Sequence, residues 1–549
     1  MSAAPDLTDA PTGKTHTSDP LTALASPSPT RKPLNSLPSE LRHSLKVFIR
    51  AFAFGWVISS LPNLLGIVVR ALFSKKLRLS ALPAKLIRVL RAGVSRNGMP
   101  WLFGGVFGGH KLLDALIRWV AERRSRPSAL TDELAPNKPT AVDPSVSSRA
   151  FCSALFSSVL ALLFVHRRFP RTPTVDLTFF ALVRALDVGA HVVYQSRRVR
   201  RMVPGWVLEH GDVAVFTVSC AEIMFAWFFE PDRLPKGRYW KGRRKGKRKE
   251  REKWTRASQY IEHSTRSSAQ SPPTPASSLF LTAFPFPRSY VRWISEMAAM
   301  EPRLLTALRL LRLGEICYGI DTGHNHILGT YCREIGLPER LADMRRARLP
   351  CVIVHGGNPG GCEVNAAKRW ARGFWKAWKI YFPVHLLPPL LFRRHRLLSA
   401  PLPSLTQILL ASLRSSAFLA TFIALIWYSV CLVRTRVGYQ LLRLPQQQLD
   451  NVKAPLLGCL LCGLSLLIEN KHRRGEMALF VAPRALYAVW ERVVSAAGVK
   501  GEGKAWEAVR EGGECIAFAA AVATIVRAMT VDREMVRPSV RGLLAWMLD

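Results

Sequence analysis

The chain has 549 residues, 49% of them hydrophobic, and its 78 Lys plus Arg against 38 Asp plus Glu give a formal charge of +40. The hydrophobic content is gathered into long uncharged runs. That excludes a string of soluble domains and points to an all-α, polytopic helical membrane protein. Basic residues cluster beside those runs, where they anchor helix ends at anionic headgroups, so the lipid bilayer is the expected partner and nucleic acid is not.

Residues 1–40 are rich in Ser, Thr and Pro and read as a disordered tail. Asp6, Asp9 and Asp19 argue against an acid-poor presequence, and no basic stretch leads into an apolar core, so any targeting signal is expected inside the chain. Residues 41–230 form a first membrane unit with apolar runs at 47–73, 92–120, 150–165, 175–194 and 213–229. The second run carries Gly104, Gly105, Gly108 and Gly109, two small-xxx-small ladders side by side on one helical face, which predict a close helix crossing. In the fourth run Arg184 and Asp187 are three apart, share a face and permit a local ion pair turned into the bundle.

Residues 231–300 are first dense in Lys and Arg and then rich in Ser and Pro, the composition of a solvated linker or of a docking patch for anionic lipid or a targeting receptor. A polar bridge, 301–366, precedes a second membrane unit, 367–532, and a C-terminal tail, 533–549. Apolar runs in this unit cover 378–392, 408–433, 454–468 and 476–494, and a polar knot at 469–475 precedes the last of these.

The two units match each other. Asp176, Phe180, Arg184, Ala185 and Leu186 align without a gap with Glu476, Phe480, Arg484, Ala485 and Leu486, and Gly211, Asp212 and Phe216 align with Gly513, Glu514 and Phe518. The chain therefore reads as two copies of one five-run helical unit, with Arg184 and Arg484 at equivalent, protein-facing positions. In the second copy, Ser416, Ala420 and Ala424 replace the glycines and keep small residues at every fourth position. The first run of each copy is the best candidate for an interfacial helix, the second copy's carrying Trp375, Lys376, Trp378 and Lys379.

The segment Lys379-Ile380-Tyr381-Phe382-Pro383, the paired-Arg turn at 469–475 and the continuation Met477-Ala478-Leu479-Phe480-Val481-Ala482-Pro483-Arg484-Ala485 resemble the transmembrane protein 135 family, the likeness being best over 317–527. Small-residue helices followed by a basic hairpin are also similar, more distantly, to the Tim17/Tim22/Tim23 group of organelle membrane proteins. The family resemblance implies a non-enzymatic protein of peroxisomal and mitochondrial membranes, with roles in organelle dynamics and lipid handling and with organelle-dynamics or targeting proteins as partners. The alternative is a transporter or translocation channel whose path runs between the two copies near Arg184 and Arg484.

The bridge holds Cys317, Cys332, Cys351, His355 and Cys362. Thiolate and imidazole ligands suit a structural zinc, although these spacings match no standard zinc module. A disulfide, or a cofactor-free bridge in which Asp321 and Asn325 cap helix ends, are the other readings. Cys152, Cys220, Cys431, Cys459, Cys462 and Cys515 lie in apolar runs and read as small hydrophobes. Gly356, Gly357, Gly360 and Gly361 lack the Lys-Ser/Thr of a phosphate loop, and no Gly-x-Ser-x-Gly elbow supports a hydrolase, so no catalytic set is expected.

Overall fold

The computed structural model describes residues 37–73, 82–95, 97–124, 144–170, 172–234, 300–345, 348–358, 360–392, 394–496 and 504–549. The Ser/Thr/Pro-rich tail, up to residue 36, and the basic linker at 235–299 lie outside the described residues. Among the described residues there is no strand, and seven stretches are long and apolar enough to cross a membrane: Ser39–Leu61, Ser145–Arg168, Thr174–Gln195, Glu209–Phe229, Pro401–Leu441, Gln446–Ile468 and Ala508–Val531. Seven such stretches fit an integral membrane protein.

In the first half, α1 (Leu37–Phe73) and α2 (Leu82–Ser95) precede α3 (Met99–Arg124), so the apolar run at 92–120 is broken before Met99. There follow α4 (Pro144–Arg168), α5 (Thr174–Gln195), the short α6 (Arg197–Met202) and α7 (Gly205–Phe229). A cap of short helices comes next: α8 (Pro302–Leu313), α9 (Asn325–Glu334) and α10 (Cys351–Val354). The second half holds α11 (Cys362–Phe392), α12 (Arg394–Ser399), α13 (Pro401–Leu432), a π-helical extension Val433–Leu441, and α14 (Ala454–Leu461) running into a 3-10 segment Cys462–Ile468. It ends with α15 (Lys471–Ala496), α16 (Lys504–Val531) and α17 (Pro538–Leu548). The basic residues after Asn470 therefore form the first turn of α15 and not a free hairpin.

Packing places α1 on α3 and α3 on α4; in the second half α11 lies on α13 and α13 on α14. The last long helix of each half crosses over. α16 seats on α4 and α5 of the first half, α7 seats on α14 and α15 of the second, and α5 touches α15. Two hydrophobic cores result. One joins Val47, Leu102, Leu162 and Val188 to Phe518, Val526 and Met547; the other joins Phe216 and Trp227 to Phe418, Cys459, Leu466 and Ala485. Removing either crossing helix would strip one core of large buried side chains, each contributing about 1.5–3 kcal/mol.

The glycines of α3 are divided between two neighbours. A Cβ at Gly104 would stand 2.9 Å from the Phe48 ring of α1, and one at Gly108 would stand 2.6 Å from Phe48 Cβ. Gly105 and Gly109 instead meet Ala161 and Ser157 of α4, at 3.0 and 3.1 Å. The two ladders thus serve two crossings rather than one face, because adjacent positions on a helix point about 100° apart.

α3, α11 and α15 are not among the seven apolar stretches. The two first-run helices accordingly differ: α1 contains one of the seven, whereas α11 carries Lys368, Arg369, Arg372, Lys376 and Lys379 ahead of its three prolines. Along α11, Trp370, Phe374, Trp378 and Phe382 stack at successive i,i+4 positions, with ring centroids 5.2, 6.4 and 5.4 Å apart. Aromatic and basic residues interleaved in this way suit the headgroup level of a bilayer.

Candidate metal centre

Pro350 is extended and sends the chain into the single turn Cys351–Val354, which sets Cys351 and His355 four residues apart on one side. Gly356 and Gly357 then turn the backbone with φ of +69° and +79°. At Gly357 a Cβ would also press against Ile335 O at 3.2 Å, so this turn needs glycine. Beyond the turn α11 opens with Cys362, and α13 brings Cys431 at its far end. The donor atoms of Cys351, His355, Cys362 and Cys431 all lie within 4.8 Å of one another.

His355 is buried, and its Nε2 lies 3.3 Å from Cys431 Sγ. Burial, reinforced by the Arg369 and Arg434 charges, lowers the His355 pKa and keeps the ring neutral, the form that ligates. The Gly360 backbone favours the protonated ring, a weaker influence than burial. A hydrogen bond from Cys431, with help from the Arg434 charge and Cys362, brings the Cys351 thiol down to about 6 against the opposing effect of burial. Burial pushes the Cys362 thiol up.

This donor set fits zinc. Three thiolates and one imidazole make a closed tetrahedral site with no position left for substrate, and ideal zinc geometry separates donor atoms by about 3.8 Å, a small contraction from the arrangement seen. Three thiolates around Zn²⁺ leave one net negative charge, and Arg434 and Arg369 supply positive charge beside it.

Beneath the cluster a buried polar clasp ties cap to membrane unit. Arg434 donates to both Asp450 carboxylate oxygens, at 2.5 and 3.0 Å, and to Leu349 O at 2.7 Å, while Tyr318 Oη donates to Asp450 at 2.7 Å. On the other side Arg309 donates to Phe228 O and Trp227 O, and Arg312 pairs with Glu230 at 2.9 Å, fastening α8 to the end of α7.

Two of the five sequence-selected ligands fall elsewhere. Cys317 donates to Gly314 O at 3.6 Å in its own turn, and Cys332 is fully buried among Leu328, Ile316 and Ile353 in the cap's small core. The fourth member of the cluster, Cys431, read from sequence as a small hydrophobe; no local spacing links it to the bridge. Its signal was the change immediately after it, where an apolar run meets Arg434, Thr435 and Arg436.

Arg184, Asp187 and Arg484 also take partners that the sequence did not name. Arg184 and Asp187 do not pair with each other: Arg184 donates to Glu476 at 2.8 Å, and Asp187 accepts from Arg537 at 2.9 and 3.1 Å. Arg184 is buried and lies over the Phe180 ring, 5.3 Å from its centroid. Arg484 is half-buried, lies 4.8 Å over Phe480, donates to Phe480 O and acts electrostatically on Asp176. Both arginines thus face a carboxylate on the opposite half. The cavity beside Arg184, lined by Asp187, Arg537 and Ile525 among others, measures about 10 Å³, room for one water.

An all-helical body with apolar stretches of spanning length, capped by a Cys3His cluster, defines the class: a polytopic helical membrane protein whose candidate metal centre joins the cap to the apolar stretch that carries Cys431. The chain matches no family model, no curated protein and no solved structure.

Proposed function

We propose that the chain is a non-enzymatic integral membrane protein of peroxisomal or mitochondrial membranes, built from two copies of one helical unit and acting in organelle dynamics and lipid handling. The compartment and the role rest on the likeness to the transmembrane protein 135 family. The observation that carries the structural part is the exchange of α7 and α16 between the halves, with equivalent helices seated in equivalent places. An interlocked pair of units with space for one water at Arg184 suits a rigid membrane body better than an open path between the copies. A fluorescent fusion examined with organelle markers tests the compartment: labelling of peroxisomal or mitochondrial membranes is expected, and labelling confined to the plasma membrane would overturn it. Loss of the protein should change organelle number or length. Unchanged organelles together with loss of a solute flux would favour transport instead.

The cap belongs to the same reading. Cys351, His355, Cys362 and Cys431 hold a structural Zn²⁺ that locks α10 and the start of α11 onto the end of α13. Elemental analysis of the purified full chain should find about one zinc per molecule, lost in Cys431→Ser. Folded protein without zinc, carrying a disulfide between two of these cysteines, would overturn it.

A further inference from the structure

Beside the metal centre, on the other side of His355, the cap and the membrane helices enclose a cavity of about 340 Å³. That is within the usual range for small-ligand sites. Its floor is α13, through Ile423 and Trp427; one wall is α11; the cap closes the rest with Tyr331, Asn358 and the start of α8. Charge in the lining is one-sided. Arg369, Arg372 and Lys376 enter from α11, on one helical face, against the single carboxylate of Glu301, which is already paired with Arg303 at 3.4 Å.

Of the three cations Arg369 is held in place by packing, while Arg372 and Lys376 are exposed. Arg369 lies flat on the Trp427 ring, 4.0 Å from its centroid. Burial and the neighbouring Arg372 charge bring its pKa down to about 10, the sign of a cation partly stripped of water next to a like charge. Asn365, buried at the cavity edge, and Tyr331 add neutral hydrogen-bonding groups. Such a site favours a compact anion with several acceptor oxygens, because guanidinium and ammonium donors converge on it while the Trp427 ring orients the Arg369 guanidinium.

We propose that this cavity binds the phosphate group of an anionic ligand, with Arg369, Arg372 and Lys376 as its ligating side chains. The stacked aromatic stripe of α11 runs from Trp370 past Lys376 to Phe382, and aromatic residues interleaved with basic ones are the composition suited to phospholipid headgroups. A lipid phosphate and a soluble phosphate share the chemistry, and the source is separated by experiment.

The test uses the full chain purified in a neutral detergent, with dioctanoyl phosphatidic acid and inorganic phosphate as separate probes, read by native mass spectrometry and by ligand-induced shift of the melting temperature. One phosphatidic acid per chain is expected. Arg372→Gln with Lys376→Gln should weaken it about tenfold or more, the loss of two charge-assisted hydrogen bonds. Lys379→Gln, on the same helix but outside the cavity lining, should leave binding unchanged. If the double variant melts lower without ligand, Arg372→Gln alone carries the test, since this exposed side chain is no part of the core. Phosphatidic acid binding better than inorganic phosphate assigns the site to lipid, and equal binding assigns it to a soluble phosphate compound. Equal affinity in the wild type and the cavity variants, or an equal loss in Lys379→Gln, overturns the proposal.

Discussion

The central helices of the two halves, α3 and α13, solve one packing problem in opposite ways. α3 carries the glycines itself: Gly104 and Gly108 receive Phe48 of α1, and Gly105 and Gly109 receive Ala161 and Ser157 of α4. On α13 the close contacts are made by glycines of its neighbours. Gly373 of α11 lies against Ala420, with 3.4 Å from its would-be Cβ to Ala420 Cα, and Gly458 of α14 lies against Ile426 O at 2.9 Å. Ser416 and Ala420 are fully buried and Ala424 nearly so, filling what remains. A close crossing needs a missing side chain on only one of its two helices. Moving the glycines off α13 leaves that helix side chains to spend at its far end, where Trp427, Cys431 and Arg434 build the floor of the cap. Towards its own end α3 instead carries Asp114 and Arg118, which pair with Arg149 of α4 and Glu40 of α1.

The largest expected effect breaks this comparison at its base. Gly108→Leu would place atoms on Phe48 Cα and Cβ, and Gly458→Leu would place them on the Ile426 carbonyl; each should cost about 3 kcal/mol or more and abolish most folded yield in detergent. If Gly458→Leu folds normally while Gly108→Leu does not, the glycines of the second half are not packing residues and the comparison fails.

Next in size is the cap. Cys431→Ser should remove the bound zinc and make the bridge at 300–358 sensitive to limited proteolysis while the membrane helices stay protected, because the Arg434 clasp and the two cores do not depend on the thiol. Cys332→Ala should leave the zinc content unchanged, since this side chain lies in the cap core. Loss of zinc in Cys332→Ala as complete as in Cys431→Ser would refute the ligand assignment.

A smaller effect separates the two arginines. Arg184→Met leaves Glu476 without its buried partner and should lower stability by about 2 kcal/mol, whereas Arg484→Met, at a half-buried position, should cost about 1 kcal/mol or less. Melting curves of the two variants in the same detergent give the ranking, and a larger loss at Arg484 would reverse it. The smallest change is Gly105→Ala. Its new Cβ would stand 3.0 Å from Ala161 Cβ, a crowding that a shift of a few tenths of an ångström relieves against the gain in helix propensity, so a change within about 1 kcal/mol is expected.

Much of this architecture was legible in the chain. Uncharged runs long enough for helices, with basic residues at their ends, made the all-α membrane class readable because a bilayer leaves the backbone few alternatives. The small residues of α3 and α13 were readable as contact positions for the same reason. What each glycine touches was not, since adjacent residues point at different neighbours and only the packed bundle says which neighbour is there. The break before Met99 was legible too: Ser95, Arg96, Asn97 and Gly98 interrupt the run, and Pro100 stands at the start of the next helix.

The sequence by itself determined the material of the cap: a short polar segment with four thiols, Cys317, Cys332, Cys351 and Cys362, and the His355 imidazole, between two apolar units. Tertiary structure alone decided which of its cysteines matter. Cys332 is turned into the cap's own core by the helix it sits on, and Cys431, distant along the chain, is delivered to the cluster by the end of a membrane helix. The same holds for Arg184, whose spacing from Asp187 permits a local pair that the fold does not use. Sequence spacing fixes which residues share a helix face, because the helix repeat is constant. The partner brought to that face comes from the other half of the molecule, and only the crossing of α7 and α16 puts it there.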